Sequence, residues 1–188
     1  MAKARRGRER GRAAARPRRR QGRAKLLVTP RVLLFLERGG RWLFLEGGPA
    51  KWFAGRLNGL GGSVEAGEDA RAAAFREARE ECGLAPSTLR LTAVVHVATG
   101  TDVITMTNVR RRRRTKRAAA PVGVLLFVFV GKLRPGALHA SAEGRLVWHP
   151  LESIGDPAVP FLDDVRALLP RVARHPAGAP PLFLTSNA

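Results

Sequence analysis

Between Gly62 and Leu84 the chain reads GSVEAGEDARAAAFREAREECGL, a glycine loop followed by a segment that gathers Glu77, Glu80 and Glu81 within five residues. At about 100° per residue these three carboxylates fall within an arc of about 100° on a helix. Phe75, Ala78 and Cys82 fall on the opposite side, where a core is expected. Like charges at helical spacing repel, so such a face calls for a counter-charge. A solvated acidic face is the plain alternative. A divalent cation is the chemically specific one, and an all-oxygen donor set suits Mg²⁺ or Mn²⁺. Arg76 lies one turn before Glu80 and can pair with it at i,i+4. Glu68 and Asp69 sit where a helix dipole favours negative charge, and Gly83 is placed to end the helix.

The order of these residues resembles the signature of the Nudix (MutT-type) hydrolases, G-x5-E-x7-R-E-U-x-E-E-x-G-U with U aliphatic. Gly62, Glu68, Arg76, Glu77, Glu80, Glu81, Gly83 and Leu84 stand at the required spacing, with Ala78 in the first aliphatic position. The resemblance covers roughly residues 25–174, strongly in the box and weakly elsewhere. It implies an α/β Nudix fold: a mixed β-sheet sandwiched between α-helices, with the box as a loop-helix-loop. It also implies a metal-dependent hydrolase that cleaves a diphosphate linkage in a nucleoside diphosphate derivative. By the same resemblance the Gly61 carbonyl, Glu77 and Glu81 would hold the metal, with Glu80 close by. Arg76 would orient the carboxylates, and Glu68 would support the loop or a further metal. A glutamate beyond the box completes the site or acts as base in some members. The candidate is Glu143, in a stretch (EGRLVW) similar to the family's E-G-x-x-W. A turn glutamate ahead of a strand is its plain alternative.

Hydrolysis of a phosphoanhydride needs charge neutralisation, an oriented water and a base, and metal ions held by carboxylates can supply all three. No GxxxxGK[ST] loop is present, so a P-loop nucleotidase is not supported. The histidines, His96, His139, His149 and His175, show no metal-ligand spacing.

Two further stretches bear on the substrate. Asn58-Gly59-Leu60-Gly61-Gly62 resembles the W-N-G-x-G-G segment of Nudix enzymes that sanitise oxidised purine nucleotides, with Leu57 in place of the tryptophan. Phe161-Leu162-Asp163-Asp164 resembles an aromatic-x-Asp-Asp stretch of the same enzymes. The resemblance implies that Asn58 contacts the base, that Phe161 stacks on it and that Asp163 and Asp164 read its edge. Two adjacent carboxylates sharing one proton can donate and accept together. Asn58 also suits a plain turn, and the aspartates also suit a helix N-terminus. The specific expectation is conversion of a purine (d)NTP such as 8-oxo-dGTP to monophosphate and pyrophosphate. ADP-ribose, a dinucleoside polyphosphate or a capped RNA end are the alternatives within the family. A non-catalytic, nucleic-acid-binding regulator is the alternative outside it, and the intact box argues against that.

Charge is unevenly spread over the 188 residues. Residues 1–25 hold 12 Lys/Arg and one acid, residues 110–117 hold seven Lys/Arg and no acid, and the remainder is near neutral with 15 bases against 14 acids. The net charge of +19 therefore belongs to two appendages and not to the folded body. Residues 1–25, with almost no large apolar side chain, are expected to be a disordered basic tail. Both segments are read first as solvated, with no specific partner; a weak nucleic-acid contact is the functional alternative for each, and an electrostatic funnel for polyphosphate a further one for 110–117, with no aromatics interleaved to stack on bases. The tail is Arg-rich and acid-poor like a mitochondrial leader but lacks serines. With no apolar leader, no apolar run long enough to span a bilayer and a single cysteine, a cytoplasmic protein with no membrane contact is expected.

Strands are expected over 26–37 and 42–46 around an Arg-Gly-Gly-Arg turn, over 89–98, over 121–133 as the buried central strand, and over 146–148. Residues 102–107 are read as extending or pairing with the 89–98 strand. Helices are expected over 69–82 and 161–172. The Nudix domain is set at 26–174, with 110–117 as a basic loop insertion and 175–188 as a Pro-rich tail.

Overall fold

The computed structural model describes residues 26–98, 122–139 and 142–187. The readings for residues 1–25, 102–107 and 110–117 lie outside the described residues.

Along the chain run β1 (Leu27–Arg38), β2 (Arg41–Gly47), β3 (Leu57–Asn58), α1 (Ala70–Cys82), β4 (Pro86–Ala98), β5 (Val122–Leu133), β6 (Gly144–Pro150), α2 (Asp163–Ala173) and β7 (Leu182–Asn187). A short 3-10 turn, Leu151–Gly155, follows β6. The strands form one mixed seven-stranded sheet in the order β3-β2-β1-β5-β4-β7, with β6 on the other side of β2. β1 runs parallel to β5 and β4 runs parallel to β7; the remaining pairs are antiparallel. The apolar run of β5 lies between β1 and β4, the central position expected of it.

Alternate residues of the strands feed two cores. On one face Leu33, Phe35, Phe44 and Val128 meet Val165, Leu169 and Val172 of α2. On the other Val32, Leu34, Leu36 and Phe129 meet Ala73, Ala74, Ala78 and Cys82 of α1. The alanines let α1 lie close to the sheet. Its ends are tied down: Asp69 Oδ1 accepts the Arg71 and Ala72 amides at 2.8 Å, and Gly83, left-handed at φ 77°, donates to the Arg79 carbonyl.

Three readings need correction. Residues 182–187 are not tail. They form β7, which runs parallel to β4 and turns Leu182 and Leu184 into the α2 core. Phe161 precedes α2 instead of belonging to it, because its backbone bridges Leu57. Phe75 does not face the core; it lies half-exposed, with the Arg71 and Arg79 guanidinia 5.7 and 5.9 Å from its ring centre. The imperfect alternation of β4 has a physical source: the register with β5 shifts between Leu91 and Ala93, leaving buried Thr92 at a bulge.

One local arrangement positions the site. β1 pairs with β2 only over Leu36–Arg38, and the edge then freed is taken by the box loop, through bridges Leu34 to Leu60 and Arg31 to Ser63. The glycines that open the box are thereby laid along a central strand, directly beneath α1.

Candidate active site

Gly61 and Gly62 are held by β1: the Val32 amide donates to the Gly62 carbonyl at 2.9 Å, and the Leu34 amide to the Leu60 carbonyl at 2.7 Å. A side chain at Gly61 would clash, since a Cβ there would sit 2.2 Å from the Val32 carbonyl oxygen, and its φ of 142° disfavours any other residue. The Gly61 amide points the other way and donates to Glu81 Oε2 at 2.7 Å. A Cβ on Gly62 would lie 2.1 Å from Glu77 Oε1. The two glycines thus form a bare strip of backbone on which the Glu77 and Glu81 carboxylates rest. Both glutamates are buried, on the same side of α1 as Ala74 and Ala78.

Arg76 organises the acids around this strip. Its Nη2 and Nε reach Glu68 at 2.7 and 3.2 Å, and its Nη1 reaches Glu77 at 2.9 Å and Glu80 at 3.1 Å. Nη2 also donates to the Ser63 carbonyl at 2.9 Å. One guanidinium therefore joins three carboxylates and the box loop in a fixed fork geometry. Glu68 in turn accepts the Glu65 amide at 2.8 Å. Hydrogen bonds from Arg76 and Glu65 hold its carboxyl below the usual range. Glu80 is the outer member, with 57% of its side chain exposed and Arg76 as its partner.

Glu143 arrives from the other side, immediately before β6. Its backbone carbonyl accepts the Gly48 amide at 2.9 Å, and its carboxylate meets Lys51 Nζ at 2.6 Å. It is also hydrogen-bonded to Glu81. Burial pushes the Glu81 carboxyl up to about 9, with the Glu143 hydrogen bond adding to the rise and the Gly61 amide opposing it. Burial also raises Glu77, against the pull of Arg76. Burial acts to raise Glu143 too, but Lys51, the hydrogen bond with Glu81 and the charge of Arg31 together bring it below its ordinary value.

The family model of the NUDIX domain matches residues 11–171, most of the chain. The chain belongs to the NUDIX domain family. Its fold is similar to that of the mutator MutT protein from Bacillus halodurans, with a TM-score of 0.62 and 18% identity over 85% of this chain and 90% of that one. It is also similar to a NUDIX hydrolase from Nitrosomonas europaea, with a TM-score of 0.60 and 18% identity over 86% of this chain and 80% of that one. The E. coli ORF135 protein is similar at a TM-score of 0.55 and 23% identity, over 82% of this chain and 95% of that one. At these identities the likeness is one of fold. No curated protein matches the sequence. The Nudix box therefore marks a hydrolase that acts on nucleoside diphosphate derivatives, and Nudix hydrolases generally need a divalent metal.

The residues present fit such an ion. Among the described residues no group of three or more His, Cys, Asp and Glu side chains is arranged to hold a metal by itself. Two buried carboxylates nonetheless rest on the same glycine strip, with the Arg76 guanidinium paired to Glu77. No described hydrogen bond occupies the Gly61 carbonyl. A small hard cation is commonly bound this way, by one or two carboxylates with water and substrate phosphates completing the shell.

On the base side the structure divides the sequence candidates. The Leu57 amide donates to the Pro160 carbonyl at 2.8 Å and the Leu162 amide to the Leu57 carbonyl at 3.0 Å, so Asp163 lies beside the strand that carries Asn58. Asp163 and Asp164 are exposed in the first turn of α2, and Asp163 lies 3.6 Å from Arg56. Asn58 Oδ1 accepts its neighbour Gly59's amide at 2.9 Å, a local turn contact. Phe161 is corrected: it is 2% exposed, packed edge-on against Phe44 and His149, with Arg166 over its ring. That ring is part of the α2 core and offers no face to a base. Lys51, the ion-pair partner of Glu143, stands at no box position and was not singled out by the sequence reading.

Among the described residues no helix is long and apolar enough to cross a membrane.

Proposed function

We propose that the chain hydrolyses a purine nucleoside triphosphate, with an oxidised purine such as 8-oxo-dGTP as the preferred substrate, to the monophosphate and pyrophosphate. The observation that supports this reading is the run from Asn58 to Gly62, which joins the base-side candidates to the carboxylate cluster in five residues. Asp163 is bonded alongside its start through Leu57, and Glu77 and Glu81 rest on its end. A purine edge at Asn58, Asp163 and Asp164 places the phosphate chain over Gly61, Gly62 and the acids. A divalent ion, Mg²⁺ or Mn²⁺, would when bound there supply charge neutralisation for the phosphates and a lowered pKa for the attacking water.

The roles of the protein groups follow from their positions. Glu77 and Glu81, with the Gly61 carbonyl, would hold the ion, and Glu68 secures the loop. Arg76 acts as a positioning residue, because its donors are taken up by Glu68, Glu77, Glu80 and Ser63. Glu80 is the peripheral acid of the cluster. Glu143, paired with Lys51 beside the cluster, accepts the proton of the attacking water as the new phosphorus–oxygen bond forms. The bridging oxygen leaves with the electron pair of the bond that breaks. Residues 1–25 and 110–117 act as basic appendages with a weak, salt-sensitive affinity for nucleic acid, and turnover of a free nucleotide survives their removal.

Product analysis tests the reading on a panel of 8-oxo-dGTP, dGTP, ATP, ADP-ribose and a dinucleoside polyphosphate with Mg²⁺, and Glu81→Gln as control. Preferential conversion of 8-oxo-dGTP to monophosphate and pyrophosphate, lost in the variant, supports it. Preference for another member of the panel keeps the hydrolytic site and removes the base reading. Full activity in Glu81→Gln removes the site assignment.

A further inference from the structure

Lys51 belongs to no element of the Nudix signature, yet it is the only described ammonium paired with a carboxylate in the structure. It sits in the 48–56 loop between β2 and β3, and the loop is anchored to Glu143 twice. The Gly48 amide donates to the Glu143 carbonyl at 2.9 Å, and Lys51 Nζ lies 2.6 Å from Glu143 Oε2. Lys51 is set for this: its own amide donates to the Gly48 carbonyl at 3.0 Å, closing a tight turn that aims the side chain back at β6. The loop passes close to this carbonyl: a Cβ on Gly48 would lie 3.1 Å from the Glu143 carbonyl oxygen, a tight contact. With 29% of its side chain exposed, Lys51 is partly shielded from water, where a charge pair is screened less than at the surface.

We propose that Lys51 is a positioning residue for hydrolysis, holding the Glu143 carboxylate against the Glu81 end of the carboxylate cluster. The groups around Glu143 make the need for it plain. Glu81 of α1 is bonded to it and Glu77 of α1 repels it, while Arg31 of β1 contributes a favourable charge. Without Lys51 a carboxylate crowded by two others turns outward to water. The proposal rests on Glu143 acting in the reaction, and it concerns any nucleotide the site cleaves, whichever base is preferred.

The test is a double-mutant cycle on the full chain, using the panel nucleotide with the fastest turnover. Lys51→Met is expected to lower kcat about tenfold or more with KM changed less than about threefold, and Lys51→Arg to recover most of the loss. In a Glu143→Gln background Lys51→Met is expected to cost almost nothing further, since the group it positions is gone. A crystal structure of Lys51→Met is expected to show the Glu143 carboxylate withdrawn from Glu81. Additive losses overturn the proposal, as does a Glu143 carboxylate still facing Glu81 in the variant. Glu143→Gln retaining full kcat also overturns it. A loss that appears in KM alone overturns it in favour of a direct contact between Lys51 and substrate. Failure of the wider site reading is separate, since it appears as an active Glu81→Gln.

Discussion

The two helices cover opposite faces of one sheet and use their inner surfaces differently. α2 buries Val165, Leu168, Leu169 and Val172, an unbroken apolar stripe. α1 buries small residues beside two glutamates, Glu77 and Glu81. Apolar burial secures α2 so well that it starts from Leu162 with no side-chain cap and tolerates Pro170 within it. α1 lacks that anchorage and is fixed by polar contacts instead: the Asp69 cap, the Gly83 cap and the Arg76 fork. Turning an inner face to chemistry places charge where burial opposes it, and the surrounding bonds must compensate.

The widest separation between the helices should appear on exchanging one buried residue in each. Glu81→Gln is expected to lower kcat by about 10–100-fold, the scale of a lost metal ligand or second-sphere partner, with the melting temperature little changed, because the amide matches the buried carboxyl in shape and adds no charge. Leu169→Ala should do the reverse. It is expected to cost about 2–5 kcal/mol of stability by leaving a cavity, with kcat per folded molecule close to that of the parent. Urea unfolding and steady-state kinetics on both variants check the pair. A Glu81→Gln protein that is destabilised and still active would reverse the roles given to the two faces.

A smaller effect distinguishes them by pH. Burial puts the folded-state Glu81 carboxyl at about 9, far above the 4.5 of an unburied glutamate, so between these values the folded chain binds more protons than the unfolded one. Stability must then fall as pH rises through that window, and the raised Glu77 adds to the same slope. Glu143 and Glu68, both lowered, contribute stability that is lost only as pH falls below the ordinary carboxylate value. Urea unfolding in EDTA at pH 5, 7 and 9 should show the decline. Glu81→Gln should flatten it, and saturating Mg²⁺ should reverse it by binding the ionised form. No change in slope in Glu81→Gln would mean that Glu81 titrates as an exposed acid.

The same contrast sets how much the sequence discloses. α1 and its loop were legible because the chemistry demands particular residues at particular spacings: Gly62, Glu68, Arg76, Glu77 and Glu81 declare themselves in order. The Arg76–Glu80 pair followed from helical geometry, whereas the fork to Glu68 depends on how the loop folds back. The link from Lys51 through Glu143 to Glu81 joins three distant segments, and no local pattern contains it. The inward turn of Glu77 and Glu81 ran against the hydrophobicity rule that placed Phe75 in the core; small alanines and bare glycine backbone decided the outcome. β7 was hidden by the prolines and glycine before it and by its shortness, since only Leu182 and Leu184 face inward. Phe161 matched a base-stacking pattern and proved to be core, a difference that burial reveals and sequence does not.

The smallest expected effect concerns the start of α2. Asp163 and Asp164 lie in the first turn, where a dipole contribution of about 0.3–1 kcal/mol explains them without any substrate. As dipole partners alone, Asp163→Asn and Asp164→Asn lower stability by about that amount and leave KM for every nucleotide alike. As readers of a purine edge, they raise KM for 8-oxo-dGTP more than for a pyrimidine triphosphate, because the amide puts an NH2 donor where the carboxylate has a second acceptor oxygen. Their exposure favours a large KM effect over a large stability effect, since a screened surface charge contributes little to folding but remains free to meet a ligand. Equal KM shifts for purine and pyrimidine substrates would place both aspartates with the packing of α2, and α1 would then carry all the chemistry assigned to a helix in this protein.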